Sequence, residues 1–331
     1  MKYIESASSD PRFNLALEQY VFEHMDKSEE YFMLWQNHNT VVVGKNQNTF
    51  SEINKQITDE NNVTVVRRLS GGGAVYHDMG NLNFTFILDC QEQESLDIKL
   101  FSRPVAEMLN ALGVPAQVNG RNDITVDGKK FSGNSQYIRN KRIMHHGTIM
   151  ISSDLDFVSK VLNVSQDKFV SKAAKSVKSR VTNLNQYLPK DIGVEEFKKL
   201  LVKYVLKDEN IKPYVFSDEE IESIKKIQEE RYNLWEWNYG FSPACEIKRT
   251  RRIEGVGGFE VYMNTEKGII KNIKIYGDYF GLLPITELEK KLIGTELNES
   301  SLLERLSNVQ IDSYFHGMKE REFIELLTVS M

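Results

Sequence analysis

The sequence predicts a large domain with a mixed β-sheet, in an α/β or α+β arrangement, followed by a small α+β domain. Its 331 residues exceed one ordinary domain and fall short of three. The first 150 residues alternate strand and turn patterns with interposed helices, without the regular βαβ repetition of a doubly wound nucleotide fold. Glycine, serine and proline cluster near 240–250 beside the basic run KRTRR, so we place the domains at residues 1–244 and 245–331.

The composition indicates a globular protein of the cytoplasm. With 40% apolar residues, 27% charged residues and 7 prolines, the chain can form a packed core without a long disordered region. No apolar window is long enough to span a membrane, and the N-terminus lacks the apolar core of a signal peptide. A net charge of -5 argues against bulk binding to nucleic acid or anionic membrane. The two cysteines, Cys90 and Cys245, match neither a disulfide framework nor a metal-binding spacing.

The large domain begins with a helix announced by Ser9-Asp10-Pro11 and continued by apolar residues at helical spacing. The apolar runs at 31–35 and 40–43 are predicted to form a hairpin through a polar turn. A helix is predicted at 101–112, and further strands are predicted at 63–69, 74–76, 82–88, 116–119, 123–126, 130–138 and 148–152.

Residues 153–230 are predicted to be mostly helical. A capping pattern at Ser153 and Asp156 marks one helix start, and a long charged helix is expected at 218–231. The small domain is predicted to contain strands at 258–263 and 269–276 with a polar turn between them, and helices at 286–292 and 300–306.

The most informative motif is RRLSGGGAVYHDMGN at residues 67–81. Its glycines, Gly71, Gly72 and Gly73, permit backbone torsions closed to other residues and let N–H groups approach an anion. An arginine beside such a turn complements phosphate oxygens or a carboxylate. A tight hairpin corner with its arginines in solvent is the alternative, but Arg-Arg, triple glycine and His-Asp in one window favour an anion site. The motif is not a P-loop, because no GK[ST] follows.

A second polar group lies in GRNDITVDGKKFSG at residues 120–133. Lys130, on an alternating strand, points away from Lys129 and could bring a positive charge to a phosphate and a carbonyl. Asn122 and Asp123, at a strand start, could bind magnesium-bridged phosphates or a ribose hydroxyl. Each of these residues also has a simpler explanation as part of a turn or a cap.

A histidine pair, His145-His146, comes shortly before the strand predicted at 148–152, and we consider the pair as neighbours on one strand. Successive side chains of a strand point to opposite faces, so the two rings are not expected to share a metal ion. The sequence therefore leaves the identity of any metal ligand unknown.

The segments RRLSGGGAVYHDMGN, GRNDITVDGKKFSG, HHGTIM, SVKSRVTNL and WEWNYGFSP follow one another in an order and at separations that resemble the motifs of bacterial lipoate-protein ligases. The resemblance spans most of the first 245 residues, and the C-terminal segment resembles the accessory domain of that family. It implies a core fold shared with biotin-protein ligases and class II synthetases. It also implies that the site binds lipoate, ATP and Mg²⁺.

The same resemblance implies roles for individual residues. It assigns to the nucleotide and the adenylate Arg68, Gly71, Gly72, Gly73, Ala74, Val75 and Tyr76, with His77 beside them. It places Lys130 at the α-phosphate and the lipoyl carbonyl, Asn122 and Asp123 near the phosphate or its magnesium, and His146 along the acyl pocket. Residues 172–180 resemble a mobile loop that covers the adenylate, although a basic stretch in solvent is the simpler explanation for its individual lysines. Ser135, where some relatives carry alanine, departs from the pattern and affects the fine shape of the pocket.

The reaction implied by the resemblance forms lipoyl-AMP and transfers the lipoyl group to a lysine of a lipoyl-domain protein. Such acceptors are E2 subunits of 2-oxoacid dehydrogenases and the glycine-cleavage H protein. The acyl chain needs an apolar slot, for which Val75, Leu69 and the strand at 82–88 are the candidates. The preference between lipoate and octanoate, the acceptor and the oligomeric state are left open, and the C-terminal domain is expected to move between the two half-reactions.

Two other functions fit parts of the sequence. A thiol-dependent octanoyl or lipoyl transferase would need no ATP, and Cys90 is its only candidate nucleophile in the large domain. The neighbouring Glu92 and Glu94 would raise the pKa of that thiol, which argues against this role. A non-catalytic lipoate carrier is the other alternative, but the presence of Arg68, Lys130 and Asp123 argues against it.

Overall fold

A computed structural model describes residues 1–45, 47–89, 98–119, 122–163, 180–190, 192–208, 211–240, 245–277, 279 and 283–328. The predictions for Cys90, for residues 120–121 and for the loop at 172–179 lie outside the described residues. The chain forms two compact units: Met1–Lys45 with Thr64–Asn233, and Asn46–Val63 with Leu234–Met331. Each unit has a hydrophobic core of its own.

The strands, in chain order, are β1 (Lys2–Glu5), β2 (Tyr31–Trp35), β3 (Thr40–Val43), β4 (Thr64–Arg67), β5 (Val75–His77), β6 (Asn81–Asp89), β7 (Ala116–Asn119), β8 (Asp123–Val126), β9 (Lys129–Arg139), β10 (Arg142–Met150), β11 (Cys245–Ile253), β12 (Gly257–Glu266) and β13 (Ile269–Gly277). The α-helices are α1 (Pro11–His24), α2 (Thr49–Glu52), α3 (Lys55–Glu60), α4 (Ile98–Ala111), α5 (Leu155–Val161), α6 (Val194–Leu206), α7 (Asp218–Ile227), α8 (Ile285–Leu292), α9 (Glu299–Leu306), α10 (Ile311–Tyr314) and α11 (Glu320–Thr328). Within the described ranges, none of the helices has both the length and the apolar character needed to cross a membrane.

The first unit is built on a seven-stranded mixed sheet of order β1-β2-β6-β10-β9-β8-β7. Strands β1 and β2 run parallel, and the other neighbouring pairs are antiparallel. This mixed sheet confirms the predicted fold class.

The inner strand β6 shows how the sequence divides the two faces of this sheet. Its apolar residues Leu82, Phe84 and Phe86 belong to the core, where the helices α4 and α6 contribute residues such as Phe101 and Phe197. Strand residues alternate between faces, so the intervening asparagines and threonine of β6 face the opposite side. That second face, which carries polar side chains, is where the site forms.

The predicted hairpin of residues 31–35 and 40–43 is wrong, because the two strands belong to different sheets. Strand β2 has β1 on one side and β6 on the other, whereas β3 pairs in parallel with β4 and antiparallel with β5 in a separate three-stranded sheet. All residues of β2 and β3 are buried. Such continuous apolar runs are typical of strands with a neighbour on each side, and not of an exposed hairpin.

Other predicted boundaries also need correction. Asp154, and not Ser153, caps helix α5, because its carboxylate accepts from the N–H groups of Asp156 and Phe157 at 3.0 and 2.9 Å. The helix predicted at 218–231 is α-helical only to Ile227 and continues as a π-helix over Gln228–Tyr232.

Arg142 joins the sheet to the end of helix α1. Its guanidinium is buried and donates to the carbonyl oxygens of Phe22, Met25 and Asp26 at 2.9, 3.1 and 3.2 Å. Among the described residues, the carbonyl oxygens of Phe22 and Met25 at the helix C-terminus would otherwise lack a donor, whereas that of Asp26 also accepts from the Tyr31 hydroxyl at 3.0 Å. The positive charge also complements the helix dipole there.

We expect the substitution Arg142→Met to lower the free energy of unfolding by about 3 kcal/mol, because it leaves buried carbonyl groups without a hydrogen-bond donor. Urea denaturation followed by circular dichroism measures this effect. Arg139→Ala is the matched control on the same hairpin, since that side chain is 59% exposed and is expected to change stability by about 0.5 kcal/mol or less. Equal effects of the two substitutions would contradict this role of Arg142.

The second unit contains a three-stranded antiparallel sheet, β11-β12-β13, with helices α8, α9, α10 and α11 following it in the chain. Along β12, Phe259, Val261 and Met263 are buried while the residues between them are exposed. The strands and helices predicted for the C-terminal region are confirmed within a few residues at each boundary. Strand β11, which contains the basic run KRTRR, was not predicted because its charged residues conceal the alternation.

Candidate active site

A cavity of about 340 Å³ opens on the polar face of the mixed sheet in the first unit. Its lining includes most of the predicted site residues, namely Arg68, Gly72, Gly73, Ala74, Val75, His77, Asn122, Asp123, Lys130 and His146. Sequence reasoning missed further lining residues, among them Leu15, Trp35, Val42, Asn83, Gly133, Asn134, Gly147 and Thr148. Strand pairing explains the convergence, because β10 places His146 opposite Thr85 of β6 and Ser135 of β9.

Two predicted residues, Gly71 and Tyr76, are not among the lining residues. The Gly71 carbonyl oxygen accepts hydrogen bonds from Arg68 and Ser135. The Tyr76 ring packs edge-on against Phe157 of α5 with centroids 5.1 Å apart. These contacts support the walls of the cavity. The roles of Gly71 and Tyr76 toward a ligand stay predictions.

The glycine-rich loop, residues 68–74 between β4 and β5, is held in shape by the side chain of Arg68. Its Nε donates to Ser70 Oγ at 3.1 Å, and its Nη2 donates to the carbonyl oxygens of Gly71 and Gly73 at 2.7 and 2.8 Å. Its Nη1 donates to the Val42 carbonyl at 3.2 Å. Burial lowers the pKa of Arg68 to about 10, so the guanidinium remains charged at neutral pH. These hydrogen bonds maintain the shape of the loop and fix a positive charge beside it.

The alternative in which both arginines of the motif lie in solvent is wrong. Arg67 is completely buried and donates to the carbonyl oxygens of Gly44 and Lys45 at 2.9 and 3.0 Å. Gly44 packs so closely on the loop that a Cβ there would overlap the Gly72 carbonyl oxygen. Gly72 itself has a φ of +95°, a conformation that favours glycine. The two glycine positions and the two arginines therefore form one packed assembly.

Lys130 forms an ion pair with Asp123 on the neighbouring strand β8, with Nζ 2.6 Å from Oδ1. Both side chains are about one-third exposed, so solvent and ligands can reach them. Lys130 belongs to the cavity lining, whereas Lys129 is exposed and does not, as the alternation of the strand predicts. Gly133 leaves space for this lysine, because a Cβ there would lie 2.9 Å from Nζ.

Asn122 fastens the start of β8 to β9. Its amide donates to the Asn134 carbonyl oxygen at 3.1 Å, and the Asn134 amide donates back to the Asn122 carbonyl oxygen at 3.2 Å. Asp123 is the one carboxylate in the lining, and no cluster of three metal-binding side chains occurs among the residues that the structure describes. A magnesium ion that arrives with a nucleotide fits this arrangement, because Mg²⁺ commonly takes one carboxylate and completes its shell with phosphates and water.

The adjacent histidines of β10 face opposite sides, as predicted. His145 lies in the core between aromatic rings, with its centroid 4.9 Å from that of Phe101, and its Nε2 lies 3.2 Å from Asn134 Oδ1. His146 lines the cavity, and its ring nitrogens contact Glu18 and Ser70. Glu18 belongs to α1 and was not predicted, because the sequence marks it only as a polar residue of a helix.

His77 is buried at the cavity wall. Its Nδ1 lies 3.2 Å from the Asn37 amide nitrogen, which can only donate, so the single ring proton is on Nε2. Burial lowers the pKa of His77 to about 3, and burial lowers that of His145 to a similar value. Both rings are therefore neutral at physiological pH.

These low pKa values predict that acid destabilises the protein. Between pH 6.5 and 3 the unfolded chain binds protons at both histidines while the folded chain does not, so the free energy of unfolding falls as the pH is lowered. We expect a loss of about 1–2 kcal/mol per histidine between pH 6.5 and 5, measured by urea denaturation. The substitution His145→Gln should reduce this slope, and His316→Gln should not, because His316 is exposed and shows no such burial. An unchanged slope in His145→Gln would contradict the assignment.

The apolar part of the lining differs from the prediction. Val75 lines the cavity, but Leu69 is buried elsewhere, and of the strand at 82–88 only Asn83 takes part. The reason is the alternation of β6, which turns its apolar residues into the core. The apolar wall instead comes from Leu15, Trp35 and Val42.

Comparison with known proteins identifies the class to which this fold and site belong. The model of the lipoyl protein ligase A/B catalytic domain matches residues 10–206, and that of the bacterial lipoate protein ligase C-terminus matches residues 242–327. Lipoate-protein ligase LplJ of Bacillus subtilis is 40% identical over 99% of this chain and 100% of its own length. The chain belongs to the lipoate-protein ligase family.

Solved structures agree with this membership. The bi-partite lipoate protein ligase of Thermoplasma acidophilum, studied with its E2 lipoyl domain, has a TM-score of 0.63 and 25% identity, covering 72% of this chain and 96% of that one. A lipoate-protein ligase A bound with ATP has a TM-score of 0.62 and 23% identity, covering 72% of this chain and 98% of its own. The second likeness shows the fold alone.

Proposed function

We propose that the protein attaches lipoate to a lysine of acceptor proteins in an ATP-dependent reaction with a lipoyl-AMP intermediate. The observation that carries the proposal is a single cavity that combines two positively charged side chains, Arg68 and Lys130, with apolar side chains such as Leu15 and Trp35. An acyl-adenylate has the same two parts, a charged phosphate group and an apolar acyl chain.

In the first half-reaction, a lipoate carboxylate oxygen attacks the α-phosphorus of ATP, and pyrophosphate leaves. Arg68 holds the glycine-rich loop and supplies a fixed positive charge, and Lys130 neutralises the charge that develops at the phosphoryl oxygens. The cavity positions both substrates and reduces access of water to the mixed anhydride. A magnesium ion, held in part by Asp123 and Asn122, would neutralise the departing pyrophosphate.

In the second half-reaction, the neutral amine of an acceptor lysine attacks the lipoyl carbonyl of lipoyl-AMP. A C–N bond forms, AMP leaves with the electron pair of the broken C–O bond, and the amine loses one proton. We assign Gly71, Gly72, Gly73, Ala74, Val75, Tyr76 and His77 to the nucleotide and adenylate, and His146 to the acyl chain. Lys130 stabilises charge in both steps and forms no covalent bond.

The acceptors that we propose are lipoyl domains of dehydrogenase E2 subunits and the H protein. A solved relative studied with its E2 lipoyl domain supports this class of partner. We further propose that residues 1–244 carry the catalytic site and that 245–331 form an accessory domain, a division that the two family models support. The use of ATP and the lack of a disulfide framework favour the cytoplasm as the place of the reaction.

The decisive experiment incubates the purified chain with ATP, Mg²⁺, lipoate and a lipoyl-domain acceptor, and follows pyrophosphate release and the acceptor mass. Lipoate-dependent release together with a lipoyl mass increase on one lysine is the expected result. Release without transfer would point to another acceptor. Transfer without ATP from an acylated donor protein would instead establish the thiol-dependent transferase, and a lack of both would leave a lipoate-binding protein.

A further inference from the structure

A chain of buried hydrogen bonds runs from helix α1 to the glycine-rich loop. Glu18 is 2% exposed, and its carboxylate lies 2.9 Å from His146 Nδ1. The other ring nitrogen, Nε2, lies 2.5 Å from Ser70 Oγ. Ser70 Oγ in turn accepts from Arg68 Nε at 3.1 Å. Helix α1 is thereby connected to the guanidinium that maintains the loop.

The proton positions in this chain follow from the donors and acceptors at its ends. Arg68 can only donate to Ser70 Oγ, which leaves the Ser70 hydroxyl proton available for donation to His146 Nε2, an acceptor within reach. An acceptor at Nε2 requires the ring proton on Nδ1, where the Glu18 carboxylate accepts it. The opposite tautomer would direct the Nδ1 lone pair at a carboxylate oxygen.

Further contacts fix Glu18 in place. Thr85 donates to Glu18 Oε1 at 2.7 Å, and the Trp35 indole donates to Thr85 Oγ1 at 3.0 Å. Glu18 also provides a negative charge for Arg68, whose own hydrogen-bond acceptors among the described residues are carbonyl and hydroxyl oxygens. The charge of Glu18 opposes the lowering of the Arg68 pKa by burial.

We propose that Glu18 is a positioning residue of the ligase, because it holds His146 as the Nδ1–H tautomer. In that tautomer His146 Nε2 accepts from the Ser70 hydroxyl, whose oxygen accepts from Arg68. The guanidinium is thereby fixed against the glycine-rich loop. Glu18 acts through His146 and Ser70 and is assigned no contact with the reacting atoms. The proposal rests on the proposed function for its catalytic consequence, but the arrangement of protons can be tested without activity.

The first test is two-bond ¹H–¹⁵N correlation spectroscopy of the histidine rings in the ligand-free protein at pH 7.5. The chain has six histidines, so the signal of His146 is assigned by its loss in His146→Gln. The expected result is a neutral ring with its proton on Nδ1 in the wild type, and loss of that tautomer preference in Glu18→Ala. A wild-type ring protonated on Nε2, or on both nitrogens, would overturn the proposal even if the protein is an active ligase.

The second test is a double-mutant cycle on lipoate-dependent ATP–pyrophosphate exchange. Glu18→Ala and Ser70→Ala are each expected to lower kcat about 10- to 100-fold. The kcat of the double variant should lie within a few-fold of that of the less active single variant. Glu18→Gln, which keeps the size of the side chain, replaces Glu18→Ala if that variant does not fold.

Gln19→Ala provides the matched control for the cycle. Gln19 is the adjacent buried polar residue of α1, and it contacts Glu23 and Arg231 outside the chain of hydrogen bonds. Its effect should be small and should multiply with that of Ser70→Ala. Multiplicative effects of Glu18→Ala and Ser70→Ala would refute the coupling, whereas no exchange activity in the wild type would refute the proposed function and leave the spectroscopic result standing.

Discussion

Replacing Lys130 with alanine is expected to remove nearly all formation of the adenylate while the protein remains folded. Lys130 and Arg68 are the positively charged side chains of the cavity lining. Lys130 lies on strand β9, where its ammonium can stabilise the negative charge that develops on the phosphoryl oxygens. Removal of a fixed positive charge that acts mainly in the transition state should lower kcat by about 10³-fold. The measurement is lipoate-dependent ATP–pyrophosphate exchange at saturating substrates.

Lys129→Ala is the matched control for this prediction. The two lysines are adjacent in β9, but Lys129 is exposed and faces away from the cavity. Its substitution should leave the exchange rate within about twofold of the wild type, as for other surface changes. Unchanged circular dichroism and urea midpoints establish that both variants fold. Near-native exchange by Lys130→Ala would remove this lysine from the mechanism.

Arg68→Lys is expected to lower the exchange rate about 100-fold or more, although the charge is conserved. A lysine ammonium cannot reproduce the planar fork that reaches Ser70, Val42 and the carbonyl oxygens of Gly71 and Gly73 together. The glycine-rich loop should lose its fixed shape, so amide hydrogen exchange at residues 70–75 should accelerate.

Arg139→Lys serves as the control, because Arg139 is an exposed arginine of the same unit and its guanidinium contacts Glu23 at 3.5 Å. Neither activity nor loop protection should change in this variant. If Arg68→Lys retained both activity and protection, the positive charge alone would be sufficient, and the role of the guanidinium geometry would be disproved.

Most of the cavity lining was predictable because its residues are concentrated in short motifs. Arg68, Gly72 and Gly73 lie within six residues, and Lys130 follows Asp123 by seven, so pairing of β8 with β9 brings that pair together. Alternation within β10 was sufficient to separate His145 from His146. In each case the decisive contact is local or follows from the period of a strand.

The residues that sequence reasoning missed belong to distant elements. Glu18 on α1 contacts His146 across 128 residues, and Trp35 contacts Thr85 across 50. Nothing in their local patterns distinguishes a site residue from an ordinary buried one. The hairpin error has the same origin, since the partners of β2 and β3 come from elsewhere in the chain.

The sequence by itself determined the mixed-sheet class, most strands and helices, and the two motifs that carry Arg68 and Lys130, because these depend on periodicity and on local turn chemistry. Only the tertiary structure decided that both arginines of the first motif are buried, that Leu69 is absent from the cavity lining, and that Glu18 reaches His146. Burial and long-range pairing arise when separate elements exclude water from a shared interior, and a single segment does not encode which partners will meet there.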